Sequence, residues 1–224
     1  MPAALLMRPD AVVSHELLLD GVWGAETPAS GHKVPASHVN PLRRVLDALG
    51  TRPAESVIRS GKGWYRFVVD GVRLDTADLT ERGDEALRVK ASGDLAGATD
   101  QLSAALALFR GEPLVNLPGP FAQNERQRLL ERRRTLRLAS LECLVLLGRF
   151  GEALDDLGAP SASPSGPFDE SLPALRLRAL YGCERRTEAL NVCQEMRVRL
   201  RDEVGVDPGE GAGTSGPAAV PSGR

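Results

Sequence analysis

Cysteine is scarce. Cys143, Cys183 and Cys193 form an odd set with no C-x-x-C spacing, which argues against a disulfide framework or a zinc site and suits a reducing compartment. Aromatic residues are also few, 4% of the chain against 42% hydrophobic residues overall, so any core has to be built from Leu, Val and Ala. No apolar run approaches the length of a membrane span, and the opening Met1-Pro2-Ala3-Ala4 lacks the charged start of a signal peptide. A cytoplasmic protein with no membrane partner is expected. Charge of one sign is not in excess either: 28 Lys and Arg face 30 Asp and Glu, for a net charge of −2. No chain-wide basic field exists to attract nucleic acid, and any grip on DNA must come from local patches. His15, His32 and His38 have no metal-ligand spacing, and no nucleophile stands beside a base. The glycine-rich Gly209–Gly216 lacks the Gly-Lys-Ser/Thr ending and the strand-helix context of a phosphate loop. No catalytic residue, cofactor or metal is expected, and nothing positive supports an enzyme.

What is present is most informative at Ile58–Asp70. Gly61 and Gly63 offer the φ > 0 geometry of a short hairpin loop, with Lys62 alone at the tip. Beyond them Tyr65, Phe67 and Val69 alternate with Trp64, Arg66 and Val68 at a period of two. A two-stranded ribbon with a basic tip is expected. Just upstream lies a helical segment ending Leu42-Arg43-Arg44-Val45-Leu46. Helix followed by basic ribbon is the arrangement with which a winged helix grips DNA, the helix in the major groove and the ribbon against the backbone or minor groove.

Upstream again, Ala3–Met7 reads as the tail of a helix stopped near Pro9. Ser14 is a good N-cap for a helix over Ser14–Gly24 that carries Leu17, Leu18, Val22 and Trp23 on one face. Thr27-Pro28 reads as the cap and first position of the next segment. There Val39, Leu42 and Leu46 fall on a core stripe, while Lys33, Ser37, Asn40 and Arg44 fall on the opposite face with Arg43 on its flank. Pro35 and Pro41 sit inside this segment. An internal proline removes a hydrogen bond and clashes with the preceding turn, at about 3 kcal/mol or a kink. A broken or bent helix, or one that starts near Ala36, is expected.

After Asp75 strand signals vanish, and helical periodicity rich in Ala, Leu, Glu and Arg runs to about Val204. Helices are expected at roughly 76–92, 94–110, 121–148, 150–158, 169–182 and 185–204, punctuated at Gly93-Asp94, Gly148-Arg149 and Gly182-Cys183. The turns around Ser92–Ala98, Leu147–Leu154 and Tyr181–Leu190 resemble one another, a helical-repeat signature of the tetratricopeptide kind. A basic run, Arg126, Arg128, Arg132, Arg133, Arg134 and Arg137, is diluted by Glu125 and Glu131. It reads as a solvated helix with pairs such as Glu125–Arg128 and Glu131–Arg134, or else as a surface for polymerase or DNA backbone. The stretch Gly158–Pro167 is of low complexity, and the tail Gly209–Arg224 lacks apolar period and reads as disordered.

In this order the elements resemble the SARP family of bacterial transcriptional activators. The family joins an OmpR-type winged helix to a tetratricopeptide-like bacterial transcriptional activation domain. The matching words are Val12–Leu18, Val22-Trp23-Gly24, His38–Arg44, the Gly61–Phe67 wing, Leu106–Leu114, Leu147-Gly148-Arg149, Leu175–Glu195 and the phrase Glu203–Gly209. The resemblance implies a mainly α fold: a winged helix-turn-helix over 1–75, the helical repeat domain over 76–208, and a disordered tail over 209–224. The family begins with a small N-terminal sheet and a full first helix, so this chain would start partway through that helix. The family has an apolar residue at the place of Pro35 and a basic one at the place of Pro41. By the same resemblance Lys33, Arg43, Arg44 and the wing-tip Lys62 would meet phosphate, and Ser37 and Asn40 would reach base edges. The implied partners are double-stranded promoter DNA, bound by copies side by side on direct repeats, and RNA polymerase. The implied targets are genes of antibiotic and other secondary-metabolite biosynthesis. The alternative is a tetratricopeptide-like protein-interaction module with a vestigial winged helix.

Overall fold

The computed structural model describes residues 2–26, 28, 31, 34–48, 51–52, 55–70, 73–158 and 171–204. Thr27, His32, Lys33, the stretch that follows Gly158 and the tail from Gly209 lie outside the described residues. The chain divides into two compact units, Met1–Ser140 and Leu141–Arg224.

The first unit opens with a winged helix-turn-helix. α1 (Pro2–Leu6) closes on a bond from the Met7 amide to the Ala3 carbonyl, and Pro9 follows. β1 (Val13–Ser14) leads into α2 (His15–Trp23), and the Ser14 side chain accepts the Leu17 amide at 3.1 Å. That bond satisfies one of the orphan donors of the first turn. After a 3-10 turn at Gly24–Glu26 comes α3 (Val34–Leu46), then β2 (Ile58–Gly61) and β3 (Trp64–Phe67). The ribbon has a third member not foreseen in the sequence: β1 pairs antiparallel with β3, giving the order β1-β3-β2. β1 has only two residues, too short to show a period.

Ala4, Leu5, Val13, Leu18, Val39, Ile58, Tyr65 and Phe67 form the core of this part, with Leu42, Leu74 and Phe121 packed against it. Each fully buried large side chain contributes about 1.5–3 kcal/mol by leaving water. Two residues expected inside are not. Leu17 is 45% exposed and Leu46 48% exposed, whereas Leu18 and Val39 are completely buried. The core face of α2 is centred on Leu18, and Leu17, about 100° round the helix, falls at its solvent edge.

α4 (Asp75–Ala91) and α5 (Leu95–Leu106) form a helical hairpin. Gly93 turns the chain at φ 94°, and Asp94 caps α5 by accepting the Gly97 amide at 2.9 Å. α5 stops at Leu106, short of the expected residue 110. There the Leu108 and Phe109 amides reach back only three residues, to Ala105 and Leu106, tightening the chain into a turn. α6 (Pro120–Leu146) begins in this unit. Its first turn lies against the end of α2: a Cβ on Gly21 would stand 3.2 Å from Phe121, and one on Gly119 would run into the carbonyl of Val22.

The second unit holds α7 (Phe150–Gly158), α8 (Ser171–Gly182) and α9 (Arg186–Val204), with α8 in contact with both others. The turns before α7 and α9 are built alike. Arg149 and Arg185 each donate a backbone bond five residues back, to Leu144 and Leu180, in a Schellman closure. Each then pairs its guanidinium with a glutamate three residues on, Glu152 and Glu188. Those hydrogen bonds hold both carboxyls below the usual glutamate range and push the Arg185 guanidinium up. Gly182 ends α8 at the expected place, but not by a left-handed backbone. It is the last residue of α8, and the left-handed position falls to Glu184 at φ 60°. Glycine is needed at 182 for a different reason, because a Cβ there would collide with the Phe150 ring.

Two substitutions separate backbone strain from close approach. Gly148 (φ 74°) faces open space, so Gly148→Ala should cost about 1–2 kcal/mol from the left-handed backbone alone. Gly119→Ala adds a collision with the Val22 carbonyl to a φ of 98° and should lower the urea midpoint further. Equal midpoints for the two variants would contradict the packing of α2 on α6.

Candidate nucleic-acid interface

Helix α3 is not broken at either proline. Pro35 is its second residue, where a backbone N–H has no intrahelical partner, and its ring is buried in the core. Pro41 withholds a donor from the Ser37 carbonyl, but both residues are exposed, so water can reach that oxygen. The Ser37 hydroxyl turns back to donate to the Val34 carbonyl at 2.7 Å.

The solvent side of α3 carries Ser37, Asn40 and Arg44, opposite the buried Val39. Lys33 lies outside the described residues. Arg43 is half-buried and turned toward the ribbon. Its Nε and one terminal nitrogen donate to the Ile58 carbonyl at 2.9 and 2.5 Å, and the same nitrogen donates to the Ser60 hydroxyl at 2.9 Å. Asp47 Oδ1 accepts the Val57 amide at 3.0 Å, a second tie between the end of α3 and the strand. Burial pushes the nearby Tyr65 phenol up, and the positive charge of Arg43 offsets part of that shift.

At the ribbon tip Lys62 is exposed. The Gly63 carbonyl accepts the His15 amide at 2.9 Å, so the tip is moored to the first residue of α2. His15 also stacks on Tyr65 with centroids 4.9 Å apart, and Trp23 lies 5.9 Å from His38. His15 is half-buried and His38 exposed, and no cluster of His, Cys, Asp and Glu among the described residues could hold a metal. Of the two loop glycines only Gly63 has positive φ, at 81°. Gly61 is required because the Trp64 indole lies where its Cβ would be.

The strand register sorts the ribbon into two faces. Ile58 pairs with Phe67 and Ser60 with Tyr65 on the core side. Arg59 pairs with Arg66 and Gly61 with Trp64 on the other. Two arginines therefore hold directly opposite positions on that face, an unfavourable like-charge pairing. The Nε atoms of both are buried without a hydrogen-bond partner. Arg44, Arg59, Lys62 and Arg66 form no ion pair with any described residue. Arg59 and Arg66 were not among the residues picked out from the sequence. Their signal was the same period of two that placed Tyr65 and Phe67 inside.

The long basic run on α6 is engaged internally. Arg126 donates to the carbonyls of Pro113, Leu114 and Leu117 at 3.2, 2.6 and 3.3 Å. Arg132 pairs with Asp84, and Arg133 lies over the Phe109 ring at 5.5 Å. The pairs Arg128–Glu125 and Arg134–Glu131 both form, at 2.7 and 3.7 Å. No helix among the described residues is long and apolar enough to cross a membrane.

Comparison with known proteins agrees with this architecture. The family model "Bacterial transcriptional activator domain" matches residues 74–212. The chain is 37% identical to Regulatory protein AfsR of Streptomyces coelicolor over 93% of its own length, and it spans about a fifth (20%) of that much longer protein. It is 32% identical to Regulatory protein DnrI of Streptomyces peucetius, covering 91% of this chain and 76% of that protein. Among solved structures, Mycobacterium tuberculosis EmbR, captured with a low-affinity phosphopeptide, superposes with a TM-score of 0.81 at 25% identity, covering 93% of this chain and 55% of that one. With its winged helix, its helical repeats and these relatives, the chain belongs to the bacterial transcriptional activator domain family, among the SARP-type regulators.

Proposed function

We propose that this chain is a DNA-binding transcriptional regulator, an activator of antibiotic and other secondary-metabolite biosynthesis genes, and not an enzyme. Residues 1–75 bind promoter DNA and residues 76–208 engage RNA polymerase, in the cytoplasm, with two copies side by side on direct repeats. The observation that supports this most is the set of unmatched cations on one ribbon, Arg59, Lys62 and Arg66, next to a helix whose exposed face offers Ser37, Asn40 and Arg44. Phosphates supply the anion that the opposed arginines lack, and the polar pair on α3 has the donors and acceptors to read base edges. Arg43 acts differently from the residues around it. Its donors already hold the ribbon, so it sets the spacing between wing and helix.

The test is fluorescence anisotropy on a promoter fragment from the chain's own gene cluster across a salt series. Arg44→Ala, Lys62→Ala and Arg59→Ala should each weaken binding and lower the slope of log K against log [salt] by about one. Asn40→Ala should leave that slope alone and flatten the preference for promoter over unrelated DNA. The absence of any salt-sensitive binding by the intact protein would refute the proposal.

Arg43→Ala should behave as a stability variant. It removes charge-assisted hydrogen bonds worth about 1.5–3 kcal/mol in total and should lower the urea midpoint, whereas Arg44→Ala should leave it within about 0.5 kcal/mol. Equal midpoints for the two would show that Arg43 does not hold the ribbon.

A further inference from the structure

Between α1, the start of α4, the Leu108–Val115 turn and α6 lies a cleft of about 590 Å³ that the DNA-binding reading does not use. We propose that it is a binding site for a small amphipathic monoanion, an apolar body carrying one acidic group. The volume falls within the range of about 300–1,000 Å³ found for small-molecule sites, and the lining has their character, mostly apolar with a few polar groups. Leu6, Met7, Leu79, Leu114 and Leu129 supply apolar walls.

The charges around the cleft define the head group. Asp75 is the first residue of α4, exposed, where the partial positive charge of the helix N-terminus, about half a charge, offsets part of its carboxylate. Glu112 pairs with Arg126 at 3.5 Å. Arg110 is exposed and forms no ion pair with a described residue. Arg110 is therefore the one cation of the lining, and it is without a partner among the described residues.

The wall opposite α1 is held open. Leu114 and Asn116 adopt φ values of 52° and 62°, a conformation that asparagine tolerates but that is unfavourable for leucine. The three carbonyl contacts from Arg126 keep the turn in that shape, and Val115 stays 56% exposed at its crest. A turn fixed in this way does not collapse into the space beneath it, so the cleft is preformed. It touches elements on both sides of residue 75 within the compact unit Met1–Ser140. A ligand there stabilises the folded unit by mass action.

The experiment titrates the folded protein, without DNA, with two fluorescent probes that differ in one group. 1-Anilinonaphthalene-8-sulfonate carries the anion and N-phenyl-1-naphthylamine does not. Both should bind at one site per chain, the sulfonate more tightly, and the sulfonate should raise the thermal midpoint. Arg110→Ala, an exposed change, should weaken the sulfonate roughly tenfold and leave the neutral probe unaffected. Ala3→Phe, which fills the cleft from α1, should abolish both, with cooperative unfolding confirming that the variant is folded. The proposal fails if neither probe binds, if Ala3→Phe leaves binding intact, or if Arg110→Ala affects the two probes alike. It also fails if sedimentation shows a dimer that excludes the probes and that Ala3→Phe dissociates, since a second copy would then be the occupant.

Discussion

The bond set from Arg43 to the Ile58 carbonyl and the Ser60 hydroxyl, together with Asp47 on the Val57 amide, gives the N-terminal part its working geometry. A two-stranded ribbon alone is marginal in water. Here one strand is tied to α3, and the other is paired with β1 and moored through Gly63 to α2. The exposed face of the helix and the outer face of the ribbon are thereby set at one fixed spacing. Surfaces that meet a rigid double helix together need that spacing settled before contact, because ordering it afterwards would cost binding energy.

The helical part uses a different economy of means. Aromatic residues are few, so its packing depends on close approach of backbones. Ala98, Ala105, Ala153, Ala179 and Ala189 are all fully buried, and Gly83 and Gly182 each admit a neighbouring side chain where a Cβ would stand. The recurring turn, a closing bond across five residues followed by an Arg–Glu pair, appears before both α7 and α9 although one uses Gly148 and the other Glu184 at the left-handed position. The closure matters more to the repeat than the residue that makes it.

Much of this was legible in the sequence because its causes are local. The Ser14 cap, the buried Val39, the inward Tyr65 and Phe67, the exposed Ser37, Asn40 and Arg44 and the Gly93-Asp94 turn follow from capping chemistry and period. What was not legible depends on partners distant in the chain. Gly61 and Gly182 look like turn glycines, yet the reasons for them are the rings of Trp64 and Phe150. Arg43 looks like a flank cation for DNA, yet its acceptors lie 15 and 17 positions away. Pro41 looks like a helix breaker, but it stands on the exposed side, where water reaches the bereft carbonyl. Arg59 and Arg66 gain meaning only once the register sets them face to face.

That opposed pair has an energetic corollary. The register fixes the backbone positions of the two arginines opposite each other, so like charges share one place on the unliganded ribbon. On the proposed reading, a phosphate that settles between them offsets that repulsion, and part of the affinity for DNA comes from its removal.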